Sequence, residues 1–178
     1  MKRDILGVLF DCVTMEEAVT AGTQMIREEG FHYVVTPNPE IVNLARSDRN
    51  YQDILNRASL VLPDGIGVVY AGKILGTPLK ERVPGIDFAA GILEEMAKTG
   101  GRLYLLGAKP GVAEYAAENL RKAYPGLVIC GTGDGYFQDP QVPARAIHEA
   151  RADAAFVCLE RPNRKTGWRS TGRRPAQS

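Results

Sequence analysis

The chain is poor in side chains suited to metal or redox chemistry. Its 178 residues include three cysteines and two histidines. Cys12, Cys130 and Cys158 are far apart, no Cys-x-x-Cys occurs, and only His32 and His148 could join them. That pattern argues against a zinc site, and an odd cysteine count in mostly apolar contexts predicts buried thiols in a reducing compartment. No basic-then-apolar leader opens the sequence, and no apolar run approaches the roughly 20 residues of a membrane span. The expectation is a cytosolic protein able to touch a membrane surface. There is no Gly-x-x-x-x-Gly-Lys-[Ser/Thr], which excludes a P-loop nucleotide hydrolase. Net charge is +1, so nothing points to nucleic acid. The charge is uneven: residues 160–178 hold six basic residues against Glu160 alone, which leaves −4 on the preceding 159 (+1 less +5).

What is present reads as an ordinary globular domain, 44% apolar and 24% charged. Ile5–Phe10 reads as a strand. Thr14-Met-Glu-Glu17 is a capping box that opens a helix with Ala18, Ala21, Met25 and Ile26 on one face. A strand over 31–35 leads into Thr36-Pro-Asn38-Pro-Glu40, where Pro37 or Pro39 can start the first of two amphipathic helical segments. Ser59–Leu62 is a strand ending in Pro63-Asp64-Gly65, followed by an apolar helix through Ala71. A Gly/Pro-punctuated charged loop covers 76–85, and 86–98 returns to helical spacing. Strand 102–106, helix 112–123, strand 127–130, helix 140–151 and strand 154–159 complete the alternation. Strands of about five residues alternating with longer helices predict βαβ units in a parallel, Rossmann-like α/β sheet with helices on both faces, in a single domain over 1–159. No two-residue hairpin turn is evident, so antiparallel hairpins are not expected. Residues 160–178 carry only Trp168 and Ala176 as apolar side chains, and read as a basic, disordered tail.

In an open parallel sheet, ligands bind beyond the carboxyl ends of the strands. Thr36, Asn38 and Asp64 fall at two such ends. Asp64 could act as general base or sugar ligand, or be an ordinary Asp-Gly turn. Thr36 could cap a helix starting at Pro37, with Asn38 satisfying loop backbone; the same stretch offers helix-start N–H groups to an anion. Gly65-Ile-Gly67 and Gly131-Thr-Gly133 each give Gly-x-Gly without the third small residue of a dinucleotide fingerprint, weak support for a nicotinamide-dependent oxidoreductase. Gly107-Ala-Lys109-Pro-Gly111 joins a strand to a helix, where a lysine and backbone amides suit a pyrophosphate. Arg82 is a solvated surface arginine or a phosphate clamp. No Asp-x-Asp occurs, so a leaving diphosphate would need Arg, Lys and helix-terminus charge in place of a carboxylate-bound metal.

Five blocks in order carry a resemblance: Thr36-Pro-Asn38-Pro-Glu40, Leu62-Pro-Asp64-Gly-Ile-Gly67, Arg82-Val-Pro-Gly85-Ile-Asp87, Leu105-Leu-Gly107-Ala-Lys109-Pro-Gly111 and Gly133-Asp-Gly135-Tyr136-Phe137. Together they resemble the WecG/TagA/CpsF glycosyltransferase family, most of all its wall teichoic acid N-acetylmannosaminyltransferase branch. The resemblance implies an inverting, metal-independent transferase with no cofactor. It would move N-acetylmannosamine from UDP-N-acetylmannosamine to the 4-hydroxyl of undecaprenyl-diphosphate-linked N-acetylglucosamine, at the inner face of the cell membrane, with some self-association. By motif position it implies Asp64 as general base, and Thr36, Asn38, Arg82, Gly85 and Asp87 at the sugar and acceptor. Gly107, Lys109, Gly111, Gly133, Gly135 and Tyr136 would hold the UDP part.

The sequence departs from the family's pattern after Leu159. Members continue with Gly-x-Pro-Lys-Gln-Glu and a C-terminal segment tied to membrane attachment, whereas this chain reads Glu160-Arg-Pro-Asn-Arg-Lys165. One choice of codons for those residues is GAG CGC CCA AAC AGG AAA. Preceded by a single G and regrouped, it reads GGA GCG CCC AAA CAG GAA, or Gly-Ala-Pro-Lys-Gln-Glu. A one-base frame change at Leu159–Glu160 is therefore expected, with residues 160–178 as its product. A chain altered in this way is expected to bind donor with impaired turnover.

Overall fold

The computed structural model describes residues 1–159; the expected tail lies outside the described residues. The chain is α/β and Rossmann-like, with two parallel strand pairs joined through helices and one antiparallel hairpin. Its contacts divide it into two compact units, the first comprising residues 1–101 and 123–128, the second 102–122 and the chain from 129 on.

The first unit opens with an antiparallel hairpin, β1 (Lys2–Ile5) and β2 (Val8–Asp11), in the register Ile5↔Val8 and Lys2↔Asp11. The sequence reading made 5–10 one strand and excluded hairpins; both points are corrected here. The connecting residues Leu6 (φ 55°) and Gly7 (φ 91°) are both left-handed, as a two-residue hairpin of matching twist demands. Leucine is not a residue that announces such a turn. The turn is pinned from elsewhere: Asp4 Oδ1 accepts from the Gly7 N–H at 2.8 Å, and Asn56 donates to the Gly7 carbonyl at 2.9 Å while accepting from the Leu9 N–H.

Helix α1 (Met15–Arg27) starts at the capping box, with Thr14 Oγ1 accepting from Glu17 N–H and the Glu17 carboxylate accepting from Thr14 N–H. The strand β3 (Val34–Val35) leads through Thr36-Pro-Asn38 to α2 (Pro39–Ser47) and α3 (Arg49–Asn56). The strand β4 (Leu60–Val61) pairs parallel to β3, Val34↔Leu60 and Val35↔Val61. Then come α4 (Ile66–Ile74) and α5 (Gly85–Thr99). The core gathers Ile5, Val8 and Phe10 of the hairpin with Val42, Ala45, Leu55, Val61, Val68 and Leu79. Each fully buried side chain of this size contributes roughly 1.5–3 kcal/mol, so the hairpin anchors the unit instead of decorating it.

In the second unit β5 (Arg102–Gly107) is central, with β6 and β7 on either side. It pairs parallel to β7 (Ala154–Cys158), from Leu103↔Ala154 to Gly107↔Cys158; β6 (Val128–Gly133) flanks its other edge. The helices are α6 (Val112–Ala123) and α7 (Gln141–Glu149). Leu103 to Leu106 are all buried, which explains why this strand reads as an unbroken apolar run. The cysteines are less buried than expected: Cys12 and Cys130 are half-buried and Cys158 is exposed. Partial burial still pushes the Cys130 thiol up, favouring its protonated form.

Candidate functional site

Three connections of the first unit meet around Asp64. Strands β3 and β4 are parallel, so their carboxyl ends lie side by side; Leu62 N–H donates to Val35 O at 2.9 Å and Asp64 N–H to Pro37 O at 3.3 Å. The third connection, the segment before α5, joins through Val83 N–H to Pro63 O at 3.0 Å and Gly85 N–H to Asp64 Oδ2 at 3.1 Å. A side chain at position 85 would meet Thr36 Oγ1 at 2.9 Å and its Cγ2 at 3.2 Å. Thr36, Asp64 and Gly85 are thus one cluster, in which glycine is the residue that lets the α5 start approach both others.

The chemistry follows from what is left over. Asp64 is half-buried; Oδ2 is held by the Gly85 amide while Oδ1 makes no hydrogen bond among the described residues, so the carboxylate is oriented yet keeps an acceptor oxygen. Asn38, not Thr36, is the N-cap of α2: its Oδ1 accepts from the Ile41 N–H at 2.9 Å, and Pro39, not Pro37, is the first helical residue. Of the two prolines that could start this helix it is Pro39, and the cap expected at Thr36 falls to Asn38. Among the described residues this leaves the Thr36 hydroxyl and the Asn38 Nδ2 without hydrogen-bond partners at the same rim. Arg82 is exposed and pairs with no carboxylate among the described residues, and Asp87 is exposed in the first turn of α5.

The segment that carries Arg82 is strapped to the start of α1. Lys80 Nζ donates to both Glu17 carboxylate oxygens, at 2.6 and 2.7 Å, and Glu81 accepts from the Met15 N–H. Leu79 and Val83 are buried beneath it. Lys80 and Glu81 therefore fix the two residues that precede Arg82. Sequence reasoning missed this strap, because its partners are 63 and 66 residues apart. The Lys80 ammonium, aided by the Thr14 amide, holds the Glu17 carboxyl below its ordinary range.

In the second unit the strand ends again gather the motif residues. Ala108 N–H donates to Cys158 O, and Gly135 N–H to Ala108 O, both at 2.9 Å. The two loops 107–111 and 133–137 are thereby stitched together at the end of β5. Gly133 lies against Leu106 and the Tyr104 hydroxyl, which donates to Thr132 O at 3.0 Å. Tyr136 is exposed, its N–H donating to Asp134 Oδ1 at 2.8 Å. Lys109 is exposed with no ion pair among the described residues, and Gly111 precedes α6 with open space about it. The loops meet, while Lys109 and Gly111 stand out from them.

The model of the glycosyl transferase WecG/TagA/CpsF family matches residues 3–169. The chain belongs to this family. A relative in Bacillus spizizenii is 35% identical over 133 residues, covering 75% of this chain and 52% of the relative. One in Bacillus subtilis is 36% identical over 132 residues, covering 74% and 52%. One in Staphylococcus aureus is 38% identical over 167 residues, covering 92% and 65%. All three are named N-acetylglucosaminyldiphosphoundecaprenol N-acetyl-beta-D-mannosaminyltransferase. The chain spans about half the length of the Bacillus relatives and about two thirds of the staphylococcal one. Among the described residues no helix is long and apolar enough to cross a membrane.

Proposed function

We propose that this chain carries the catalytic α/β part of a hexosyltransferase that moves N-acetylmannosamine from UDP-N-acetylmannosamine to undecaprenyl-diphosphate-linked N-acetylglucosamine. The observation that carries it is the Asp64 carboxylate, held at one oxygen by the Gly85 amide beside an unpartnered Thr36 hydroxyl and Asn38 amide. Family membership and the relatives' names supply the substrate class.

In this reading Asp64 Oδ1 takes the proton of the acceptor hydroxyl. The acceptor oxygen attacks the anomeric carbon from the face opposite the nucleotide, the carbon–oxygen bond to UDP breaks, and the configuration inverts. General-base help of this kind is worth about 10²–10⁴ in rate. Thr36 and Asn38 contact the sugar. The sequence has no Asp-x-Asp to hold a metal on the diphosphate, so the proposal is metal-independent: Arg82 or Lys109 and helix-start amides offset the negative charge that grows as UDP departs. The Gly107–Gly111 and Gly133–Phe137 loops take the UDP part.

A second reading, a protein that binds donor with impaired transfer, rests on the departure from the family's pattern after Leu159. Calorimetric titration with UDP, UDP-N-acetylmannosamine and NAD, without added metal, tests both. Binding of the UDP ligands alone supports the site, and transfer to the lipid acceptor then separates enzyme from donor-binding remnant. Binding of NAD alone overturns both in favour of an oxidoreductase.

A further inference from the structure

Helix α4 is apolar almost all round; from Gly65 to Leu75 its one charged residue is Lys73. A helix of that kind is normally covered on every side. Here Val68, Val69 and Gly72 are buried, with Val68 in the core, while Ile66, Tyr70 and Ile74 are 53%, 57% and 85% exposed. Their four-residue spacing makes them one stripe along the helix. Ile86, 81% exposed, follows Gly85, whose hydrogen bond to Asp64 brings the start of α5 beside the start of α4. Ile66 is two residues from Asp64, and Ile86 one from Gly85. Elsewhere in this unit the exposed large apolar residues on helices, Leu44 and Ile54, stand singly.

We infer that Ile66, Tyr70, Ile74 and Ile86 form a surface that seats on a lipid bilayer and so presents the Asp64 carboxylate to a membrane-borne acceptor. The inference rests on the acceptor proposed above, since the relatives' names specify an undecaprenol diphosphate. The stripe borders the carboxylate itself, so a lipid-linked sugar need not leave the membrane surface far to reach it. Charge is divided along the stripe: Asp64, Arg82 and Asp87 lie toward its Ile66 end, while Lys73, 5.8 Å from the Tyr70 ring centre, is the one charged residue of α4 and sits beside Ile74. A lysine among exposed apolar side chains suits anionic headgroups. A second copy of the chain fits less well. Stable protein interfaces take about 20–30 residues a side, and a symmetric contact would bring Lys73 and Arg82 toward their own copies. Interfacial insertion needs only a few apolar side chains with a cationic border.

The test uses the full chain and Ile74→Ser/Ile86→Ser, two positions too exposed for core packing to depend on them, with the basic segment 160–178 identical in both. Cosedimentation with vesicles of phosphatidylglycerol and phosphatidylethanolamine, against phosphatidylcholine alone, measures partitioning. We expect binding to the anionic vesicles and at least a tenfold loss in the double variant. On the unmutated chain, hydrogen exchange across 66–75 is expected to slow when vesicles are added. Equal binding by the variant, no binding by the full chain, or unaltered exchange across α4 would each overturn the inference. So would a lipid-free dimer that the two substitutions convert to monomer without altering vesicle binding, which would assign the face to a second copy. UDP titration in parallel separates the two readings. UDP binding without vesicle binding removes the surface and leaves the site; vesicle binding through these isoleucines without UDP binding does the reverse.

Discussion

Asp64 and Gly85 are 21 residues apart, and one hydrogen bond between them decides what the carboxylate can do. With Oδ2 held, Oδ1 is aimed, and replacing the acid by an amide keeps the shape while removing the base. Asp64→Asn in a chain competent for transfer is expected to bind UDP and the donor with unchanged affinity and to lose transfer by about 10²–10⁴. Calorimetry and a transfer assay read the two halves separately, and unaltered turnover would remove Asp64 from the base role. Gly85→Ala tests the cluster from the other side. Its Cβ would lie 2.9 Å from Thr36 Oγ1, so either Thr36 or the α5 start must shift. A cost of about 1–3 kcal/mol in urea unfolding is expected, together with a loss of transfer larger than stability alone accounts for. At this scale the sequence was informative, because strand ends, Asp-Gly and Thr-Pro-Asn are local signals. The split of roles between Thr36 and Asn38 was not, because either side chain can cap a helix and only the position of the first turn chooses.

Elements were legible where their signals were local. The Thr14–Glu17 capping box and the apolar run of β5 both appear where the sequence places them. The hairpin was not legible, because Leu6 takes a left-handed conformation in a turn whose Gly7 carbonyl is held by Asn56, 49 residues on. The strap over α1 is of the same kind, and it carries a pH dependence of definite sign. The Glu17 carboxyl titrates below its unfolded value, so its contribution to the folded state is complete above the ordinary glutamate pKa of about 4.3 and is lost as pH falls through the lower, folded value. Thermal midpoints of the unmutated chain and Glu17→Gln, measured from pH 7 down to pH 3, are expected to differ at neutral pH and to converge in acid. Because the pair is exposed, 0.5 M salt should also narrow the difference. A difference constant across this range would mean that the Glu17 charge contributes nothing to the folded state, through either Lys80 or Thr14. Lys80→Gln distinguishes strap from cap: it leaves the Thr14 bond intact, frees the segment beside Arg82, and should raise the donor or acceptor KM more than it lowers kcat.

For the molecule as a whole, the family match and the expected break pull in different directions. The match runs through residue 169, past Leu159, yet the residues that follow read Glu160-Arg-Pro-Asn-Arg-Lys165. We propose that the reading frame changes by one base between Leu159 and Glu160, because regrouping plausible codons for 160–165 restores Gly-Ala-Pro-Lys-Gln-Glu. The coding DNA tests this directly: codons there that cannot regroup in this way refute it. The biochemical consequence is sharper. The loops proposed to hold UDP and the Asp64 cluster both precede the proposed break, so donor affinity is expected of the chain as it stands, and turnover is expected to depend on what the restored frame encodes. Inserting the single base and expressing the longer product is therefore expected to leave the UDP dissociation constant within about threefold, a change under 1 kcal/mol. Lipid-acceptor transfer is expected to rise from near background, and Asp64→Asn in the longer chain should abolish that gain. If the present chain already turns over at the rate of the longer product, the segment after Leu159 has no part in the chemistry, and the described 159 residues hold the whole catalytic apparatus.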